Sequence, residues 1–130
     1  MRGKRRDPRQ DYAGVYYILN TKNSRIYVGQ SVRIFDRQDT HRSQLTHGTH
    51  PNKAMLADWR AFGPDVFEFG VLVTLPGSTS RLYINRYLLN LEQIFMRVYQ
   101  SRIPTHGYNI ISERKDKLAR TDVSIFGPIF

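Results

Sequence analysis

The stretch Gly14-Val15-Tyr16-Tyr17-Ile18-Leu19, then Thr21-Lys22-Asn23-Ser24, then Ile26-Tyr27-Val28-Gly29 decides the fold. Val15, Tyr17 and Leu19 alternate with Tyr16 and Ile18, and Ile26 and Val28 alternate with Tyr27 and Gly29. Period-two patterning on both sides of a turn-rich tetrapeptide reads as an antiparallel hairpin. With the tetrapeptide setting the register, Tyr16 pairs with Gly29 and Ile18 with Tyr27. The two tyrosines then share one face, diagonal to each other, and Val15, Tyr17, Leu19, Ile26 and Val28 fill the other.

Beyond the hairpin, Ser31 is the expected N-cap of a helix reaching about Leu45. Arg33, Arg37 and His41 recur on it every four residues and form one polar stripe. Gly48 stops this helix. Asn52 caps a second, with Met55, Leu56, Trp59 and Phe62 facing inward, which ends at Gly63-Pro64. The β-branched and aromatic run from Val66 to Leu75 predicts a third strand, and Pro76-Gly77-Ser78 a turn. A long helix is expected from about Ser80 to Gln100, its apolar stripe being Ile84, Tyr87, Leu88, Leu91, Ile94, Phe95 and Val98. Pro104 to Gly107 breaks the pattern, and Tyr108 to Ile111 reads as extended. The expected fold is α/β: a small, mainly antiparallel three-stranded sheet flanked by helices.

A chain of 130 residues fits one domain. Residues 1–11 read as a basic arm, 12–112 as the folded domain and 113–130 as a tail whose apolar end, Ile125 to Phe130, is expected to dock on its own domain. No apolar run is long enough to span a bilayer and no leader pattern is present, so no membrane partner is expected, and the expected location is intracellular, in the cytoplasm or nucleoid. Cysteine is absent, which excludes disulfides and thiolate metal sites. Twenty Lys and Arg against 11 acids leave a net charge of +9, which favours a polyanionic partner, nucleic acid first. Lys4, Arg5 and Arg6 in the arm, and Arg33 and Arg37 on the first helix, are candidate phosphate contacts.

One residue of the long helix is out of place. Glu92 lies between Leu88, Leu91 and Phe95, at the border of the apolar stripe, where a carboxylate needs a cation or hydrogen-bond donors. An ion pair with an arginine satisfies that need as well as a metal ion does. Phosphodiester cleavage requires activation of water, neutralisation of charge on the phosphorane and stabilisation of the departing 3′ oxygen. Tyrosine or histidine relays the proton, arginine clamps a nonbridging oxygen, and a cation held by a carboxylate serves the rest. Tyr16, Tyr27, Arg37, His41 and Glu92 supply those residue types from separate elements. Composition does not show that they converge.

Gly14-Val15-Tyr16 followed by Tyr27-Val28-Gly29 resembles the paired signature of the GIY-YIG nuclease superfamily. Arg37 stands ten residues beyond Tyr27, where that family has its catalytic arginine, and His41 one turn further on, where phage intron-homing members carry a histidine. Glu92 in Leu91-Glu92-Gln93 and Asn109 in Gly107-Tyr108-Asn109-Ile110 are similar to its metal-binding glutamate and its terminal asparagine. The likeness covers about residues 12–111.

The resemblance implies a DNA endonuclease of homing type. Tyr16 would be general base or proton relay, Tyr27 would orient phosphate or water, and Arg37 would stabilise phosphate charge. His41 would assist proton transfer or hold Tyr16, and Asn109 would brace the site. Glu92 would be the one protein side chain on a single Mg²⁺ or Mn²⁺ ion. His50 is similar to a further histidine of homing members and is a candidate DNA contact. Many members attach a separate DNA-recognition domain, for which 130 residues leave no room, so the chain is expected either to cut with low sequence specificity or to take recognition from a partner protein, a homodimer or the basic arms. A restriction or structure-specific repair nuclease and a non-catalytic nucleic-acid-binding module are the competing readings.

Overall fold

A computed structural model describes residues 11–110 of the chain. The arm residues Lys4, Arg5 and Arg6 and the tail 113–130 lie outside the described residues. Strand β1 (Gly14–Asn20) and strand β2 (Ile26–Ser31) form the hairpin. Helix α1 (Ile34–His47) and helix α2 (Lys53–Phe62) follow. After a single 3₁₀ turn, Pro64–Val66, come strand β3 (Phe67–Thr74) and helix α3 (Ile84–Tyr99).

The sheet order is β2-β1-β3, antiparallel throughout. The hairpin register is the expected one: Tyr16 opposite Gly29 and Ile18 opposite Tyr27. Both faces of β1 are buried. Tyr16 and Ile18 enter a core with Ile34 and Leu45 of α1 and Met55, Leu56 and Trp59 of α2. Val15, Ile26 and Val28 meet Met96 of α3 on the opposite face, with Leu91 and Phe95 beside them. The tyrosine face is therefore a second core rather than an open platform.

Two glycines let side chains and strands approach closely. A Cβ on Gly29 would fall 2.5 Å from the Cζ and hydroxyl oxygen of Tyr16, so the phenol lies across the neighbouring strand only because that position lacks a side chain. A Cβ on Gly14 would fall 2.1 Å from the carbonyl oxygen of Val73, next to the register shift between Val15 and Tyr16. The Gly-x-Tyr and Tyr-x-Gly spacing is thus a packing requirement.

The helix ends agree with expectation in part. Asn52 caps α2 by accepting from the Met55 N–H at 3.0 Å, and Gly48 ends α1 in the left-handed region at φ 77°. Ser31 does not cap α1. Its hydroxyl accepts from the Arg33 N–H at 3.0 Å, while the free N–H groups of Phe35 and Asp36 donate to the Asp11 carboxylate at 2.9 and 3.0 Å. A carboxylate at this end also complements the helix dipole. Asp11, the last residue assigned to the arm, is therefore tied to α1.

Three further expectations are corrected. Helix α3 begins at Ile84, because the Ser80 hydroxyl accepts from the Leu82 N–H and closes a turn there. Phe62 is 40% exposed, since α2 ends on it and Gly63 turns the chain away. Val98 is 61% exposed, because the buried stripe of α3 runs through Leu88, Glu92, Gln93 and Met96. The helix is rotated so that polar residues, not Val98, face the interior.

Losing the Asp11 cap in Asp11→Ala should cost about 1–2 kcal/mol of stability in urea unfolding, against about 0.5 kcal/mol or less for Ser31→Ala. The reverse order would return the cap to Ser31.

Candidate active site

Tyr16 of β1 and Tyr27 of β2 have ring centroids 6.4 Å apart. Tyr16 is 1% exposed, and a hydroxyl at that depth must be paired. Its oxygen lies 2.7 Å from Nε2 of His41. His41 is also 1% exposed, and its Nδ1 lies 2.7 Å from Nε2 of His50. His50 closes the series by accepting at Nδ1 from the backbone N–H of Asn52, at 3.0 Å. A buried hydrogen-bonded line thus runs from β1 through α1 to the start of α2.

His41 thus parts from the other two residues of the polar stripe. Arg33 and Arg37 face solvent, whereas His41 turns inward with Ile34, Gln38 and Leu45. Gln38, which carried no signal in the sequence, donates to the carbonyl of Gly70 at 2.8 Å and so ties α1 to the edge strand β3. His50 is buried, with both ring nitrogens engaged inside the protein.

The exposed Arg37 lines the cleft of this site, and its charge acts on Tyr16, Tyr27, His41 and His50, so it lies near all four. Burial raises the Tyr16 pKa well above the usual phenol value, the Tyr27 hydroxyl adds to this, and the Arg37 charge opposes it. Tyr27 is raised by burial and then by the Glu92 charge, with Arg37 again opposing. His41 is pushed down to about 3 by burial, by Arg37 and by His50. His50 is lowered by burial and by Arg37. At neutral pH the site holds two neutral phenols, two neutral imidazoles and one fixed cation.

Glu92 is 2% exposed on α3 and acts electrostatically on both phenols, so it lies near them. Asn109 clamps the outer edge of β2: its side-chain oxygen accepts from the Val28 N–H and its amide donates to the Val28 carbonyl, each at 2.8 Å. A cleft of about 190 Å³ opens among Tyr27, Arg37, His41, His50, Arg102 and Asn109, with room for several waters. Arg102 had no signal in the sequence, because it comes from the turn after α3 and reaches the cleft only through the fold. Gln93, the buried neighbour of Glu92, also lines the cleft.

Among the described residues no group of three or more His, Cys, Asp or Glu is gathered as a metal cage. The donor chemistry at Glu92 suits a hard divalent ion that keeps mostly water and phosphate oxygens, and not zinc. No helix among the described residues is long and apolar enough to cross a membrane.

The lowered histidines make stability pH-dependent. Above the unfolded value of 6.5 neither state binds the proton. As pH falls from there toward about 3, the unfolded chain takes up a proton that folded His41 refuses, and stability drops. Between about pH 7 and pH 5, above the carboxylate range, the slope from His41 should approach about 1.4 kcal/mol per pH unit. His41→Gln should flatten the curve measured by urea unfolding, and an unchanged slope would contradict the burial of a neutral His41.

Comparison with known proteins agrees with this geometry. Intron-associated endonuclease 1 of Enterobacteria phage T4 is 29% identical over 98 residues, covering 75% of this chain and 36% of that protein. This chain therefore spans about a third of that relative. The solved catalytic domain of homing endonuclease I-TevI superposes with a TM-score of 0.65 at 26% identity, covering 77% of this chain and 99% of that one. A substitution mutant of the catalytic domain of intron endonuclease I-TevI gives a TM-score of 0.66 at 27% identity, covering 77% and 94%. The family model described as GIY-YIG catalytic domain matches residues 12–109, three quarters of the chain and every element of the sheet and site, and the chain belongs to that family.

Proposed function

We propose that the protein is a metal-dependent endonuclease of homing or mobile-element type that hydrolyses phosphodiester bonds in DNA. One observation carries the reading. A buried phenol, Tyr16, is hydrogen-bonded to a histidine pair and lies in the field of a guanidinium that lines a cleft, with a buried acid acting on it. Packing alone would not favour so many polar groups at that depth, since apolar residues of similar volume would fill the space at lower cost. The net charge of +9 and the names of the similar proteins, an intron-associated and a homing endonuclease, point the same way.

In this reading the Arg37 guanidinium receives the scissile phosphate and donates to a nonbridging oxygen. Tyr16 is a phenol at neutral pH, so it serves the attacking water as a relay, accepting one proton while giving up its own. Tyr27 orients the water or the phosphate. Asn109 holds β2, and through it Tyr27, in place. Glu92 would hold a single Mg²⁺ or Mn²⁺ ion, whose chemistry is Lewis-acid stabilisation of charge on the phosphate and the departing 3′ oxygen. Exposed Arg33 extends the positive surface beside Arg37.

Purified protein should nick or cut plasmid DNA with Mg²⁺ and stop with chelator. Tyr16→Phe, Arg37→Ala and Glu92→Gln should each slow single-turnover cleavage by about 10²–10⁴-fold. Full activity in Glu92→Gln would remove the carboxylate from the metal's role. Gly29→Ala should lose activity on a similar scale while far-UV circular dichroism stays folded, because the new methyl displaces the Tyr16 ring. Salt-sensitive binding without metal-stimulated cleavage would instead identify a non-catalytic module, and preference for branched or flapped DNA a structure-specific repair nuclease.

A further inference from the structure

The three groups behind Tyr16, namely His41, His50 and the Asn52 backbone N–H, form a line whose hydrogen-bond direction is set at one end. A backbone N–H only donates, so the Asn52 N–H, 3.0 Å from His50 Nδ1, makes that nitrogen an acceptor. A neutral His50 then carries its proton on Nε2. That nitrogen is 2.7 Å from His41 Nδ1, and two N–H groups cannot face each other at that distance. His41 Nδ1 is therefore bare, and its proton sits on Nε2, 2.7 Å from the Tyr16 oxygen.

We infer that His50, held by the Asn52 backbone, is a positioning residue that fixes His41 as the Nε2–H tautomer, so that His41 donates to Tyr16 and does not take its proton. Support comes from the neutrality of both rings at pH 7, with His41 pushed down to about 3. His41 thus fills one acceptor position on the Tyr16 oxygen, and the phenol's own proton points away from the histidine pair. The His41–His50 pair stabilises negative charge on Tyr16 oxygen and provides no exit for its proton, which leaves on the cleft side.

This inference rests on Tyr16 being the reactive phenol, but its first test does not need activity. Long-range ¹H–¹⁵N spectra of ¹⁵N-histidine-labelled protein should show His41 protonated at Nε2 and bare at Nδ1, with the signals assigned by their loss in His41→Gln. Protonation at Nδ1, or at both nitrogens at neutral pH, overturns the inference.

Two nearly isosteric variants then separate direction from mere packing. The Gln amide of H50Q offers His41 a donor and Asn52 an acceptor, preserving the direction. The carboxylate of H50E only accepts, so it should draw the His41 proton to Nδ1 and turn Nε2 into an acceptor. H50E should lose cleavage by about 10²-fold or more, as when an orienting partner imposes the wrong tautomer, and H50Q should recover most of that loss. Equal rates in H50E and H50Q, with the tautomer switched, overturn the functional part. A wild type with the Nε2–H form that cuts no DNA upholds the tautomer and sinks the nuclease reading instead.

Discussion

A hydroxyl carried into a protein interior must be hydrogen-bonded or cost about 1–3 kcal/mol, and much of this architecture follows from satisfying one such group, that of Tyr16. The ring reaches its position only because Gly29 opposite it has no side chain. Its oxygen then requires a polar partner from the helix that covers it, which places His41 among the apolar residues of α1. A buried imidazole has a second nitrogen to satisfy, and the loop after α1 brings in His50. His50 in turn uses a backbone N–H of Asn52, whose side chain caps α2 and whose amide donates to the Tyr108 carbonyl at 2.6 Å. Each requirement hands the next one on, until the line reaches the backbone.

Arg37 has two consequences from one position. Its charge opposes the effect of burial on both phenols and so holds them closer to ionisation. The same charge adds to burial in keeping His41 and His50 neutral. A neutral histidine pair beside a phenol preserves the direction of its hydrogen bonds over the whole neutral range, whereas a charged imidazole would donate from both nitrogens. Glu92 acts on the phenols with the opposite sign.

Local features of the fold were legible in the sequence. The hairpin register, the Asn52 cap and the Gly48 stop depend on residues a few positions apart, and all three hold. The Asp11 cap was not legible, because it joins residues 24 apart. The inward turn of His41 was hidden for a related reason: spacing places Arg33, Arg37 and His41 on adjacent turns, but only tertiary packing decides which of them the sheet covers. Glu92 did signal itself, as a charge at the border of an apolar stripe. Gln93 and Arg102 did not, since an amide along a helix or a guanidinium just past its end is ordinary at a surface. The resemblance to a known family ordered the residues that physical reading alone had left scattered.

What holds the far side of the site together is the short segment after α3. Gly107 forms a parallel bridge with Ile26 on the outer edge of β2, the Ile26 N–H donates to the His106 carbonyl, and the Tyr108 N–H donates to the Ile26 carbonyl. One residue later the side chain of Asn109 takes over the pairing with Val28, so the edge of β2 stays satisfied where the backbone departs. Tyr108 anchors the segment from inside by donating to Asp58 at 2.6 Å and accepting from Asn20 at 3.0 Å, under the Arg25 guanidinium. Asp58 is fixed in turn by its ion pair with Arg25 at 3.0 Å. Tyr27 lies between the two residues of β2 that this segment grips, so the position of one phenol of the site depends on contacts made 80 residues further along the chain. A family signature that ends in an asparagine therefore describes a clamp: the last residue of the pattern holds the strand on which its first half is written.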